Sequence, residues 1–190
     1  MSLAFEAVED DQGISDLAGM AREIWNEYWP PIIGQDQTDY MVDLFQSEDA
    51  IRNDIDCNGY RYWFMHAEDG RLVGYTGGAT ETMTGDPEHD ARIHHSDAVD
   101  ARYPTRFFIS KVYLYEQERG KHYASQAIDF YSKLIEEEGL PAMYLTVNRD
   151  NELGVRAYLG CGFYTIEDVD NPIGEGFVMT DHIMVKEAGK

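Results

Sequence analysis

One short run of this 190-residue chain holds the residue types that grip a phosphate: Gln117-Glu118-Arg119-Gly120-Lys121-His122-Tyr123-Ala124. It lies where a strand-like segment, residues 106–115, gives way to a helical pattern that begins near residue 121. A turn of this kind directs several backbone N–H groups outward at a helix N-terminus. The helix dipole favours negative charge there as well, so the join suits a pyrophosphate. Gly120 and Ala124 are small enough to admit a phosphate close to the backbone, and Arg119 and Lys121 add positive charge. Taken alone, the run reads equally well as a surface turn with two solvated basic residues.

The rest of the chain is strongly acidic. It has 15 Lys and Arg against 36 Asp and Glu, a formal net charge of −21. That balance argues against a nucleic-acid backbone or an anionic membrane as a partner and suits a cationic small molecule. With 43% hydrophobic and 27% charged residues the composition is that of a globular protein. Cys57 and Cys161 are too few for a disulfide framework, so a reducing cytoplasm is the expected compartment. No signal peptide and no membrane-spanning stretch are read from the sequence. His89, His94 and His95 have no metal-ligand spacing, and no metal site is expected.

The elements that must hold the turn in place follow from periodicity. Residues 3–8 read as a strand. Ile14, Leu17, Ala18, Ala21, Ile24, Trp25 and Tyr28 recur at helical spacing, with Asp10 or Asp11 as cap and Pro30-Pro31 as the stop. Two short helices follow at 35–46 and 47–55. Residues 60–67 and 72–80 form a hairpin about Asp69-Gly70. Residues 81–105 are polar and read as a long surface loop. Ala124, Ala127, Ile128, Tyr131, Leu134 and Ile135 lie on one face of a helix. A strand at 142–147, a helix at about 151–159 and a closing hairpin at 163–168 and 177–186 complete the chain. This succession implies an α/β or α+β sheet with a parallel portion in one domain, residues 1–190.

A second run sharpens the reading: Leu145-Thr146-Val147-Asn148-Arg149-Asp150-Asn151-Glu152-Leu153-Gly154-Val155-Arg156-Ala157-Tyr158-Leu159-Gly160-Cys161-Gly162-Phe163. Together the two runs resemble the GNAT superfamily of acyl-CoA-dependent N-acetyltransferases. There a strand leads to R/Q-x-x-G-x-G/A at a helix start, and a later strand leads to N-x-x-A-x-x-x-Y-x-x-x-G-F. Arg119, His122 and Ala124 occupy the first pattern; Asn151, Gly154, Tyr158, Gly162 and Phe163 occupy the second. The strand before the turn most resembles bacterial members that acetylate small amines, including polyamines. His122 stands where the family has its middle glycine and Gly154 where it has alanine. His122 is tolerable there if it keeps a negative φ and turns its side chain outward.

The resemblance implies a mixed, mostly antiparallel sheet of about seven strands. Its central pair, 106–115 and 142–147, is parallel and splayed, with helices on both faces. It implies acetyl-CoA as cosubstrate, held by Arg119, Gly120, Lys121, His122, Tyr123 and Ala124 at its pyrophosphate and by Asn151. Val112 and Leu114 offer backbone groups to pantetheine. A primary amine on a small molecule attacks the thioester directly, since a neutral amine is already a nucleophile. Tyr158 protonates the departing thiolate, a role suited to a phenol that is protonated at neutral pH. Asn151 also reads as a helix N-cap, and Tyr158 as a packing residue. The general base stays open among Glu81, Glu116, His94, His95 and a water chain. Cys161 is expected to be buried and structural. Trp25, Tyr28, Trp29 and Tyr40 read as an aromatic wall for a cation or as core. Alternative readings are a protein N-terminal or lysine acetyltransferase, or a CoA-binding sensory module without turnover. The resemblance also admits a homodimer.

Overall fold

A computed structural model of the chain describes residues 2–94 and 96–189. Seven strands form one sheet in the order β1-β2-β3-β4-β5-β7-β6. They are β1 (Ala4–Ala7), β2 (Tyr60–His66), β3 (Leu72–Thr82), β4 (Thr105–Leu114), β5 (Ala142–Asn148), β6 (Tyr164–Gly174) and β7 (Phe177–Glu187). β4 and β5 are parallel, with Phe107, Phe108 and Ile109 opposite Met143, Tyr144 and Leu145. β1 with β2, β5 with β7 and β6 with β7 are antiparallel. This is the mixed, mostly antiparallel sheet that the resemblance implies.

The chain falls into two compact units. The first comprises the chain up to Gly78 and Lys111–Ala127; the second comprises Ala79–Ser110 and the chain from Ile128 onward. In the first, α1 (Asp11–Tyr28) starts where the Asp10 carboxylate accepts the Gly13 amide, as a good N-cap does. Its apolar stripe buries Leu17, Ala21 and Ile24 with Ile51, Tyr62 and Tyr75. The Pro30-Pro31 pair ends α1 but itself opens a single turn, α2 (Pro30–Ile33), with proline at its first position. α3 (Gln35–Phe45) and α4 (Glu48–Asn58) follow, the latter capped by Ser47 and closed by Gly59 at a left-handed φ of 70°. A second cluster joins Met65, Val73, Tyr123 and Ala127 to Val112 and Leu114.

In the second unit the expected surface loop at 81–105 is a folded and partly buried excursion. It forms α5 (Pro87–Asp90) and α6 (Asp97–Arg102). Asp90, Ser96, Val99 and Tyr103 are buried. The reason is Arg106 on β4, which is fully buried. Its guanidinium pairs with Glu81 at 3.2 Å and Asp100 at 2.5 Å. It also donates to the carbonyls of His94 and Pro104. A buried cation demands such partners, and the end of β3 together with the excursion supplies them. The Asp90 carboxylate adds a tie of its own, accepting the amides of Thr84 and Gly85 and the Thr84 hydroxyl. After β4 come a 3₁₀ turn (Glu116–Glu118), α7 (Tyr123–Glu137), β5 and α8 (Glu152–Gly160). Phe107 packs on Tyr131 of α7 with ring centroids 5.1 Å apart.

Candidate active site

The turn before α7 holds left-handed backbone at two positions, although one of them is a histidine. Gly120 has φ 76° and His122 has φ 62°. The negative φ that would make a histidine easy to place is thus not found, while the side chain does lie exposed. The His122 carbonyl accepts the Gln126 amide at 3.3 Å, so His122 is the residue from which α7 springs. Left-handed backbone costs a non-glycine residue about 1–2 kcal/mol, and histidine is among those that adopt it more often. The turn holds this geometry at a histidine and bears the strain.

The charges around the turn are arranged by Glu118. This carboxylate is 4% exposed and pairs with Lys121 at 2.9 Å and with Arg71 of β3's approach at 2.5 Å. The Lys121 and Arg71 contacts hold its carboxyl below the ordinary range against the effect of burial. Lys121 is therefore a tethered cation at an exposed position. Arg119 stacks on Tyr28, 4.5 Å from the ring centroid, and gives its Nε to the Leu114 carbonyl. Its buried Nη2 has no hydrogen-bond partner among the described residues. A cation with a donor to spare and a Gly120 whose missing Cβ faces open space fit an anionic group such as a pyrophosphate.

Of the aromatic residues predicted as wall or core, Trp25 and Trp29 are buried and Tyr28 and Tyr40 are half-buried. Trp25 stacks obliquely on Trp29 and Tyr113 at 5.5 and 5.4 Å. Close to this cluster lies a residue that the sequence reading passed over. Lys111 on β4 is 7% exposed, with its ammonium 5.9 Å from the Phe45 ring centroid. Burial pushes its pKa down to about 8, opposed by the charge of Asp54.

Asn151 and Tyr158 belong to the second unit, whereas Val112, Leu114 and the Arg119-to-Ala124 turn belong to the first. Asn151 is the N-cap of α8, its side-chain oxygen accepting the Gly154 amide at 2.9 Å. Gly154 suits that cap, because a Cβ there would lie 2.8 Å from the Asn151 amide nitrogen. Tyr158 is half-buried and meets Phe163 edge-on at 5.8 Å. Cys161 is half-buried, not buried as expected, because it lies at the exposed C-cap of α8.

The base candidates fare differently. Glu81 is buried and accepts from Tyr144 at 2.6 Å and from the His94 amide at 3.1 Å. Burial raises its pKa, with Tyr144 and Arg106 opposing. These bonds, with the Arg106 pair, fix it as a fold-holding residue. Glu116 is exposed at the start of the 3₁₀ turn. His94 is stacked on Phe108 at 4.8 Å, not solvated. His95 lies outside the described residues. Among the described residues no cluster of metal-ligating side chains occurs, and no helix is long and apolar enough to cross a membrane.

A model of the Acetyltransferase (GNAT) family matches residues 20–163. The chain belongs to this family and is an acyltransferase by that membership. Its fold is similar to that of the PaiA N-acetyltransferase from Thermoplasma acidophilum, solved in complex with coenzyme A. The TM-score is 0.69 at 18% identity, over 98% of this chain and 99% of that one. It is also similar to the spermidine N-acetyltransferase from Vibrio cholerae, solved in complex with CoA and spermine. There the TM-score is 0.59 at 19% identity, over 100% of this chain and 97% of that one. At these identities the likeness is one of fold. No curated protein matches the chain.

Proposed function

We propose that the protein transfers acetyl from acetyl-CoA to a primary amine of a small molecule by direct attack in a ternary complex. The observation that carries this reading is the turn before α7, where Gly120 and His122 hold left-handed backbone beside Arg119. Such a turn presents amides to a pyrophosphate and needs no side-chain chemistry to do so. The family match runs through segments of both units, and the same reading takes residues 1–190 as one domain.

In this reading Arg119, Gly120, Lys121, His122, Tyr123 and Ala124 hold the pyrophosphate. Val112 and Leu114 pair with pantetheine along β4, and a neighbouring amide polarises the thioester carbonyl. Asn151 contacts coenzyme A while capping α8. The amine nitrogen forms the C–N bond as the C–S bond breaks, and Tyr158 supplies the proton to the departing sulfur. The net charge of −21 favours a cationic acceptor, in keeping with the spermine-bound relative. The acidic surface and the lack of a disulfide framework accord with a cytoplasmic enzyme.

The test is a thermal-shift titration with acetyl-CoA followed by thiol release against an amine panel that includes spermine, for the wild type and Tyr158→Phe. The expected result is an acetyl-CoA-stabilised protein that releases thiol. Tyr158→Phe loses about 100-fold or more in kcat with coenzyme A affinity intact. Stabilisation without thiol release from any amine would replace this reading with a sensory module.

A further inference from the structure

β7 carries a buried carboxylate with one oxygen left unsatisfied among the described residues. Asp181 is 2% exposed, and its Oδ2 has no hydrogen-bond partner among the described residues. An ionised, unpaired carboxylate in that setting is costly, and the cost is offset where a cation arrives. The neighbouring charges do not supply one directly. Arg149, in the turn after β5, is engaged by Asp170 of β6. His182, one residue on along β7, is engaged by Asp168 of β6 at 2.6 Å.

Its place in the sheet is informative. Asp181 stands opposite Asn148, the last residue of β5, on one side and Val169 of β6 on the other. The Asn148 carbonyl accepts the amide of Asn151, the residue read as a coenzyme A contact. The Arg149 amide in turn bonds to the Thr180 carbonyl, fixing this end of β5 against β7. Residues paired across an antiparallel ladder share a face, so Asp181 lies on the face that carries Thr146 and Tyr144. Ligands of sheets with parallel strands gather beyond the carboxyl ends of those strands. Asp181 stands at that end of β5, whose parallel partner is β4.

We propose that Asp181 is the carboxylate that receives the acceptor's ammonium group and takes its proton. This deepens the acetyltransferase reading and rests on it. The ammonium gives one proton to the Asp181 carboxylate, which releases it to solvent. The freed lone pair forms the C–N bond, and the C–S pair goes to sulfur with the Tyr158 proton. The second nitrogen proton returns through solvent to the Tyr158 oxygen. The products are an N-acetyl amine, coenzyme A thiol and one released proton. Burial pushes the Asp181 carboxyl up to about 6, with Arg149 and His182 opposing. Such a group is mostly ionised at neutral pH yet more basic than an ordinary carboxylate, as a proton acceptor should be.

Asp181→Asn keeps the shape and removes the charge. With spermine or 1,4-diaminobutane as acceptor, it is expected to lose about 100-fold or more in kcat/KM at pH 7 while acetyl-CoA affinity stays within about twofold. The wild-type rise of kcat/KM with pH, centred near 6, disappears in the variant. In the wild-type complex with coenzyme A, carbon-13 titration of the Asp181 carboxyl is expected to show its midpoint falling when spermine is added. That readout needs no variant to fold. Retention of activity and of the pH limb in Asp181→Asn overturns the assignment, as does parallel loss of acetyl-CoA affinity or an unmoved carboxyl midpoint. Failure of the wild type to turn over any amine overturns the acetyltransferase reading itself; turnover indifferent to Asp181 overturns this assignment alone.

Discussion

Replacing Lys111 with methionine is expected to stabilise the protein, by a margin that shrinks in alkaline solution. Lys111 is 7% exposed, and burial lowers its pKa to about 8 from the ordinary 10.5. The unfolded chain keeps the ordinary value, so between about 8 and 10.5 the unfolded state binds more protons and stability rises with pH. Below 8 the whole cost of the buried ammonium is present. The gap between the two values corresponds to about 3 kcal/mol. The ring of Phe45 returns about 1 kcal/mol through its attraction for the ammonium. Methionine follows the same unbranched path without the charge. The variant should therefore be about 2 kcal/mol more stable at pH 7, an advantage largely gone by pH 10. Urea unfolding followed by tryptophan fluorescence at both pH values measures it. The buried tyrosines Tyr62 and Tyr75 also titrate on unfolding, but equally in both proteins, so the difference isolates Lys111. A variant less stable than the wild type at pH 7, or a margin that does not change with pH, would refute the account.

Two further expectations concern the proposed cofactor segments. His122→Gly removes about 1 kcal/mol of left-handed strain, nearly cancelled by the extra freedom of glycine in the unfolded chain. Its melting temperature should move by no more than about 2 °C, while calorimetry should show acetyl-CoA binding several-fold tighter through closer approach to the turn. Gly154→Ala gains about 1 kcal/mol of helix propensity in α8 but crowds the Asn151 cap, for a net change near zero. In an Asn151→Ala background, itself about 1 kcal/mol less stable, the same change should stabilise by about 1 kcal/mol, and denaturation of all four proteins reads the coupling.

Much of this architecture is written locally. The α1 stripe and its Asp10 cap, the Asp69-Gly70 hairpin, the break at Pro30 and the Asn151 cap all depend on neighbours a few residues away. The residues that escaped are those whose partners come from afar. Arg106 merely opens the strand-like segment 106–115 in the sequence, and its enclosure by Glu81, Asp100 and the carbonyls of His94 and Pro104 shows only in the fold; the polar stretch 81–105 therefore read as a surface loop. Lys111 and Asp181 look like ordinary polar strand residues, since alternation cannot reveal which face is covered. At His122 the backbone is set by the turn, and the residue type alone does not reveal its left-handed φ.

The anchoring of the β3–β4 excursion has a consequence for inheritance. One guanidinium measures the chain from position 81 to position 104, gripping it at four places. A residue gained or lost between His94 and Arg106 would carry at least one partner out of reach and leave a buried cation short of its acceptors. The span of that stretch and the arginine at its end can drift only together, so a single point substitution at 106 releases the length of the stretch upstream of it.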